Sequence, residues 1–191
     1  MSLLGASGFD PITRTYDSGA GTETIPNGVS QVAISVWGAG GRGGDGDLDT
    51  LAAGGGAGSG GYVLKTFTIT ASDWGKTFSY VVGSASGGNS TVVNGTFGTS
   101  TNLAANGGSN GQAGVDGGLQ GAGGSASGGD TNIAGNPGSP AVSRTGSGAP
   151  NGGGNTTTGV GTTPGGGGAG GSLGGSAGQV GANGRVQFAY T

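Results

Sequence analysis

Asp45, Asp47 and Asp49 stand at alternate positions in GGDGDLDTL, the spacing at which carboxylate oxygens ligate calcium in some loops. Such a loop closes with a carboxylate at its twelfth position, and here position 56 is Gly56. The same residues read as a solvated acidic loop tip, so no metal centre is assigned. Leu48 and Leu51 beside them make the loop a candidate contact surface. Ser and Thr are numerous, but a hydroxyl becomes a nucleophile only beside a positioned base, and the chain has no His and no Cys. A glycosidase needs two carboxylates across a cleft. The nine acidic residues are scattered, mostly in turns, and no motif pairs any two of them. These residues predict a protein that is not an enzyme and carries no cofactor.

Binding chemistry is a different matter. Ile133, Val142 and Arg144 lie in NIAGNPGSPAVSRTGSGAPNGGG, and Thr157 and Val160 lie in NTTTGVGTTP. Both segments interrupt a glycine repeat and carry larger side chains. Loops on rigid scaffolds carry function more often than the scaffold does. With the Asp45–Leu51 loop, these segments are read as one distal binding surface, although each also suits a plain turn between helices. Trp37 and Trp74 have faces that suit sugar rings, but a strand Trp at a sheet end reads first as core.

The repeat itself is the main organising feature. Glycine recurs every third residue at Gly165, Gly168, Gly171 and Gly174, then after a one-residue slip at Gly175, Gly178, Gly181 and Gly184. The same period runs through Gly108, Gly111, Gly114 and Gly117, then Gly118, Gly121 and Gly124, with shorter pieces from Gly38 and Gly55. A left-handed extended helix of the polyproline II type has three residues per turn, so this spacing aligns one bare face on which backbones can meet. The chain has 191 residues, 54 of them Gly and only six Pro, so collagen is excluded. Ordering each backbone costs about 1–2 kcal/mol, which interhelix hydrogen bonds and a neighbouring β core must offset.

Strand signals flank the tracts. Val32, Ile34 and Val36 alternate with Ala33, Ser35 and Trp37; Val63, Phe67 and Ile69 share one face; Phe78, Tyr80 and Val82 align. Asn94-Gly95 in NSTVVNGTF suits the tight turn of a short hairpin. Residues 101–105 suit another strand, and Val186, Phe188 and Tyr190 alternate in the last segment. The fold class expected is all-β: a small antiparallel β-sandwich or sheet with a bundle of packed polyglycine II helices and essentially no α-helix. The β core falls mainly in 22–37, 61–105 and 185–190, and the glycine tracts in 38–61 and 106–184. Residues 1–21 differ in character. Leu3, Leu4, Phe9, Ile12 and Tyr16 show no clear strand or helix period and are read either as an arm folded back on its own domain or as a docking arm for a partner.

The net charge of −3 with six Lys and Arg gives no footprint for nucleic acid. No segment has the length and apolarity of a membrane span, and MSLLGASGFD lacks the basic region and apolar run of a signal peptide.

The order TIPNGVSQVAISVWGAGG, GAGSGGYVLKTFTITASDWGKTFSYVVGSASGG, NSTVVNGTF and GANGRVQFAY, covering residues 22–191, resembles the glycine-rich domain of bacteriophage tail fibre and tail-tip proteins. The resemblance implies a virion surface protein, made in the host cytoplasm, whose distal loops bind the host cell as an adhesin, the receptor being a glycan or an outer-membrane protein. It implies attachment to other virion proteins through the N-terminal arm and, by analogy with tail appendages, a homotrimer. A purely structural virion role, as a head decoration, head fibre or fibre-joining subunit, is the alternative. Ice binding on a flat glycine face is a remote one.

Overall fold

The computed structural model describes residues 9–85, 91–95 and 101–191. Leu3, Leu4 and the second half of the expected Asn94 hairpin lie outside them. Ten strands are described: β1 Ile12–Tyr16, β2 Ala20–Thr24, β3 Gln31–Trp37, β4 Tyr62–Thr68, β5 Thr77–Val81, β6 Thr91–Gly95, β7 Thr101–Ala105, β8 Ala126–Ser127, β9 Thr131–Ile133 and β10 Arg185–Tyr190. They form two five-stranded antiparallel sheets, ordered β1-β10-β3-β4-β9 and β2-β5-β6-β7-β8, packed as a sandwich. Two single-turn 3-10 helices, Ala71–Asp73 and Gly114–Asp116, are present, and no α-helix occurs among the described residues.

Alternation in the sequence sets which face is buried. In β3, Val32, Ile34 and Val36 point inward, opposite Tyr190, Phe188 and Val186 of β10 in register. Phe78 and Tyr80 of β5, Val93 of β6 and Leu103 of β7 close the core from the other sheet. The Phe188 ring stands 5.7 Å from Phe78 and 6.3 Å from Tyr80. Ile69 and Val82, placed by alternation with their strands' inward residues, are buried in the same core.

The N-terminal segment is built into this sandwich. β1 is the edge of the first sheet, pairing with β10, and β2 is the edge of the second, pairing with β5. Phe9, Ile12 and Tyr16 pack on the core, with Tyr16 stacked on Tyr80 at 4.3 Å. Glu23 on β2 is buried between the sheets. It accepts hydrogen bonds from Arg14 Nη1 and Tyr16 Oη, both at 2.6 Å, and from Tyr190 Oη at 3.0 Å. One carboxylate thus ties both edge strands to β10. The weak alternation of ITRTY hid this strand, because its buried partners are hydrogen-bonding groups and not a run of aliphatics.

Asn94 and Gly95 do not form the expected tight turn. They lie inside β6, paired with Ser79 and Phe78 on one side and with Asn102 and Thr101 on the other. Pairing on both sides outweighs the local turn preference of Asn-Gly.

Beyond Trp37 the β3–β4 ladder continues with a new period. Gly38, Gly41, Gly44 and Asp47 donate their N–H groups to the carbonyls of Gly61, Gly58, Gly55 and Ala52 at 2.8–3.0 Å. Residues 54–61 are buried and hydrogen-bonded on every side. The N–H groups of Gly54, Ala57 and Gly60 donate to Gly171, Gly168 and Gly165. Those of Gly55, Gly58 and Gly61 donate to Gln112, Ser109 and Asn106, and those of Gly56 and Ser59 to Ser139 and Asn136. Their carbonyls accept from 38–44, from Gly121 and Gly124, and from Ser147. Six chain segments therefore surround 54–61, each meeting it at a three-residue interval or at one point. The bare glycine faces are obligatory: a Cβ on Gly55, Gly56 or Gly58 would collide with the carbonyls of Leu119, Thr145 or Ala122.

Candidate functional site

The chain leaves the sandwich and returns to it in four excursions, and their turns meet at the end remote from the sheets. The turns fall at 47–52, 114–118, 141–144 and 172–175. Gly114 donates to Asp45 O, Ala141 to Gly118 O, Gly46 to Ser176 O, and Gly170 to Arg144 O, at 2.8–2.9 Å. A Cβ placed on Gly175 would stand 2.8 Å from Leu48 Cγ, so the first and fourth turns touch. Two of these turns sit at the one-residue slips of the glycine period. Gly117 and Gly118 have φ of 91° and 58°, and Gly174 and Gly175 have 93° and 76°. Consecutive positive φ values reverse the chain in a conformation that glycine alone adopts without steric cost.

A cleft of about 500 Å³ opens between the turns, lined by Leu51, Ala52 and Ala53, by Ala141, Val142 and Arg144, and by Ser172 and Leu173. Around it stand exposed aliphatic side chains, Val142 at 97% and Leu51 at 67% of full exposure, with Leu48, Val115 and Leu173 close behind. Leu51 and Arg144 both have positive φ, 50° and 55°. The Arg144 turn is held by its N–H donating to Pro140 O at 3.0 Å.

The acidic triplet is divided among separate tasks. Asp45 accepts from Gly178 N at 2.8 Å and from the Arg42 guanidinium. The Gly178 amide, then Arg42, hold its carboxyl below the usual carboxylate range. Asp47 accepts from the Thr50 hydroxyl and from Thr50 N at 2.9 Å, which lower its pKa and cap its own turn. Asp49 joins neither group by its side chain. Among the described residues, no three His, Cys, Asp or Glu side chains gather within metal-binding range.

Of the residues read from sequence as a binding surface, Leu48, Leu51, Val142 and Arg144 come together at this tip, with Asp45, Asp47 and Asp49 in the same loop. Thr157 and Val160 belong to a lateral hairpin set back from it. Thr156 exchanges hydrogen bonds with Gly146, and Gly161 donates to Val180 O. Ile133 lies at the root of the glycine tracts, in β9 beside Tyr62, where the tracts leave the sheet. Leu173 and Val115 escaped the sequence reading. Part of the signal was present: Leu173 adjoins the Gly174–Gly175 slip, and Val115 lies two residues before the Gly117–Gly118 slip.

The aromatic residues described in the structure sit with the sheets. Trp37 is buried against Tyr62 at 5.0 Å and donates from Nε1 to Pro150 O at 3.1 Å. Trp74 is half-exposed and donates to Val29 O at 3.0 Å. No helix among the described residues is long and apolar enough to cross a membrane. A scan against protein-family models gives no match, and a search of curated proteins finds none either.

Proposed function

We propose that this chain is a non-enzymatic bacteriophage virion protein, tail-associated, that contributes to host receptor binding through the four distal turns. In this reading 38–61 and 106–184 form a bundle of packed polyglycine II helices. Two observations support the bundle: hydrogen bonds recur at three-residue intervals around 54–61, and Ala113, φ −63° and ψ 156°, is near the polyproline II geometry. The bundle acts as a stiff stalk, and the sandwich is its base. The observation that carries the functional reading is the convergence of exposed Leu48, Leu51, Val115, Val142 and Leu173 at the far end. Monomeric proteins seldom leave contiguous apolar surface without a partner for it.

Attachment to other virion proteins is assigned to the N-terminal segment. β1 is an edge strand, and an open edge can accept a strand from another subunit.

The test is binding of the fluorescently labelled chain to intact host cells, beside a variant carrying Leu51→Ser, Val142→Ser and Leu173→Ser. The expected result is saturable binding by the parent and loss of at least about tenfold in affinity by the variant. Equal binding by both overturns the assignment to the tip. Absence of binding by the parent favours the purely structural virion role.

A further inference from the structure

The chain has six Lys and Arg residues, and five are in ion pairs: Arg14 with Glu23, Arg42 with Asp45, Lys65 with Asp130, Lys76 with Asp73 and Arg185 with Asp17. Among the described residues Arg144 is the one cation outside such a pair. It is half-buried and lines the distal cleft, whose other lining residues are aliphatic except for Ser172. Three non-glycine residues have positive φ among the described residues, and two of them, Arg144 and Leu51, line this cleft. Such backbone is retained where the surroundings over-determine it, commonly at ligand clamps.

A half-buried arginine with no ion-pair partner among the described residues, lining a mostly apolar cleft of ligand size, specifies its complement. The fork of an arginine matches a carboxylate or a phosphate. The surrounding charge separates those two. Asp45, Asp47, Asp49 and Asp116 stand in or close to the distal turns against Arg42 and Arg144, four negative groups against two positive. A dianionic phosphoryl group or an anionic lipid surface is repelled by that field, whereas one carboxylate pairs with Arg144 locally.

We propose that the distal cleft binds an aliphatic group bearing a single carboxylate, as presented by an acidic residue or chain terminus next to a bulky aliphatic residue on a protein partner. The aliphatic part is seated between Leu51, Val142 and Leu173, and the carboxylate takes the guanidinium of Arg144. The inference rests on the reading of the distal turns as a contact surface. Its test uses no host cell, so its outcome and that of cell binding are separable.

The experiment titrates octanoate into the full chain, with amide chemical shifts as readout, beside acetate, octylamine and octyl phosphate. Saturable octanoate shifts confined to 51–53, 141–144 and 172–173 are expected, with acetate and octylamine at least about tenfold weaker. Arg144→Gln, checked for an unchanged melting temperature, should weaken octanoate about tenfold and leave octylamine unchanged. No saturable octanoate binding overturns the proposal, as do shifts that map elsewhere in the parent chain. Octyl phosphate binding more tightly than octanoate replaces the carboxylate with a phosphoryl head group and overturns it as well.

Discussion

Gly58 donates its N–H to the carbonyl of Ser109 at 3.0 Å, and no side chain separates the two backbones. A methyl group on Gly58 would run into the carbonyl of Ala122 on the adjacent segment. Relief requires backbone to move on a segment hydrogen-bonded to its own neighbours. Gly58→Ala is therefore expected to destabilise the fold by about 3 kcal/mol or more. Gly154, exposed and where a Cβ would meet only Thr162 Oγ1 at 3.9 Å, is the control: Gly154→Ala should change stability by no more than about 0.5 kcal/mol. Urea unfolding of the two variants checks this, and equal midpoints would remove the requirement for bare backbone.

Glu23 is the second point of stress. Replacing it with alanine leaves the buried Tyr190 hydroxyl and the Tyr16 hydroxyl without their acceptor, at an expected cost of about 2–4 kcal/mol. Glu23→Gln keeps an acceptor and should lose less. Thermal unfolding of both variants measures the difference, and an Ala variant as stable as Gln would show the cluster to be dispensable.

Alkaline behaviour follows from the same group. The hydrogen bond to Glu23, then burial and the carboxylate charge, push the Tyr16 phenol up to about 12. Burial first, and then Glu23, raise Tyr190 as well. A phenol whose folded pKa lies above its unfolded value of about 10 contributes stability in full below pH 10. That contribution is lost as the pH rises to about 12. Tyrosine absorbance titration should show Tyr16 and Tyr190 ionising late, and Tyr16→Phe should flatten the loss of stability between pH 10 and 12. Ionisation of both near pH 10 would contradict this.

Acid acts on Asp73. The Lys76 ammonium, followed by the Thr70 hydroxyl, draws its carboxyl down to about 2. Its contribution is present above its unfolded pKa of about 3.9 and lost as the pH falls toward 2. Asp73→Asn should be less stable than the parent at neutral pH and should lose less on acidification through that window. Denaturation midpoints at several pH values decide it, and parallel curves would be the contrary result.

The sandwich could be read from the chain because Val32, Ile34, Val36, Phe78, Tyr80, Val186 and Phe188 alternate, and burial on one face imposes that pattern. β1 could not, since Tyr16 and Arg14 are placed by a carboxylate on β2 rather than by apolar periodicity. The distal turn at Leu48 and Leu51 was visible as an interruption of the glycine period. Leu173 was obscured because the slip beside it changes the frame without breaking the composition. The separation of Ile133 from Val142 and Arg144 was hidden for a different reason. In the proposed polyglycine II geometry eight residues span about 25 Å, so neighbours in one glycine-rich stretch can lie at opposite ends of the glycine tracts, one beside the sheets and the other at the distal turns.

The account depends most on residues 54–61, six glycines with Ala57 and Ser59, being held on every side. Amide hydrogen exchange tests this directly. All eight amides donate to backbone carbonyls of 106–112, 136–139 and 165–171. They are expected to exchange only on global unfolding, with protection equal to that of Ile34 and Phe188 in the sandwich core. Fast exchange of 54–61 alongside a protected sandwich would contradict the packed bundle and, with it, the rigid presentation of the distal turns.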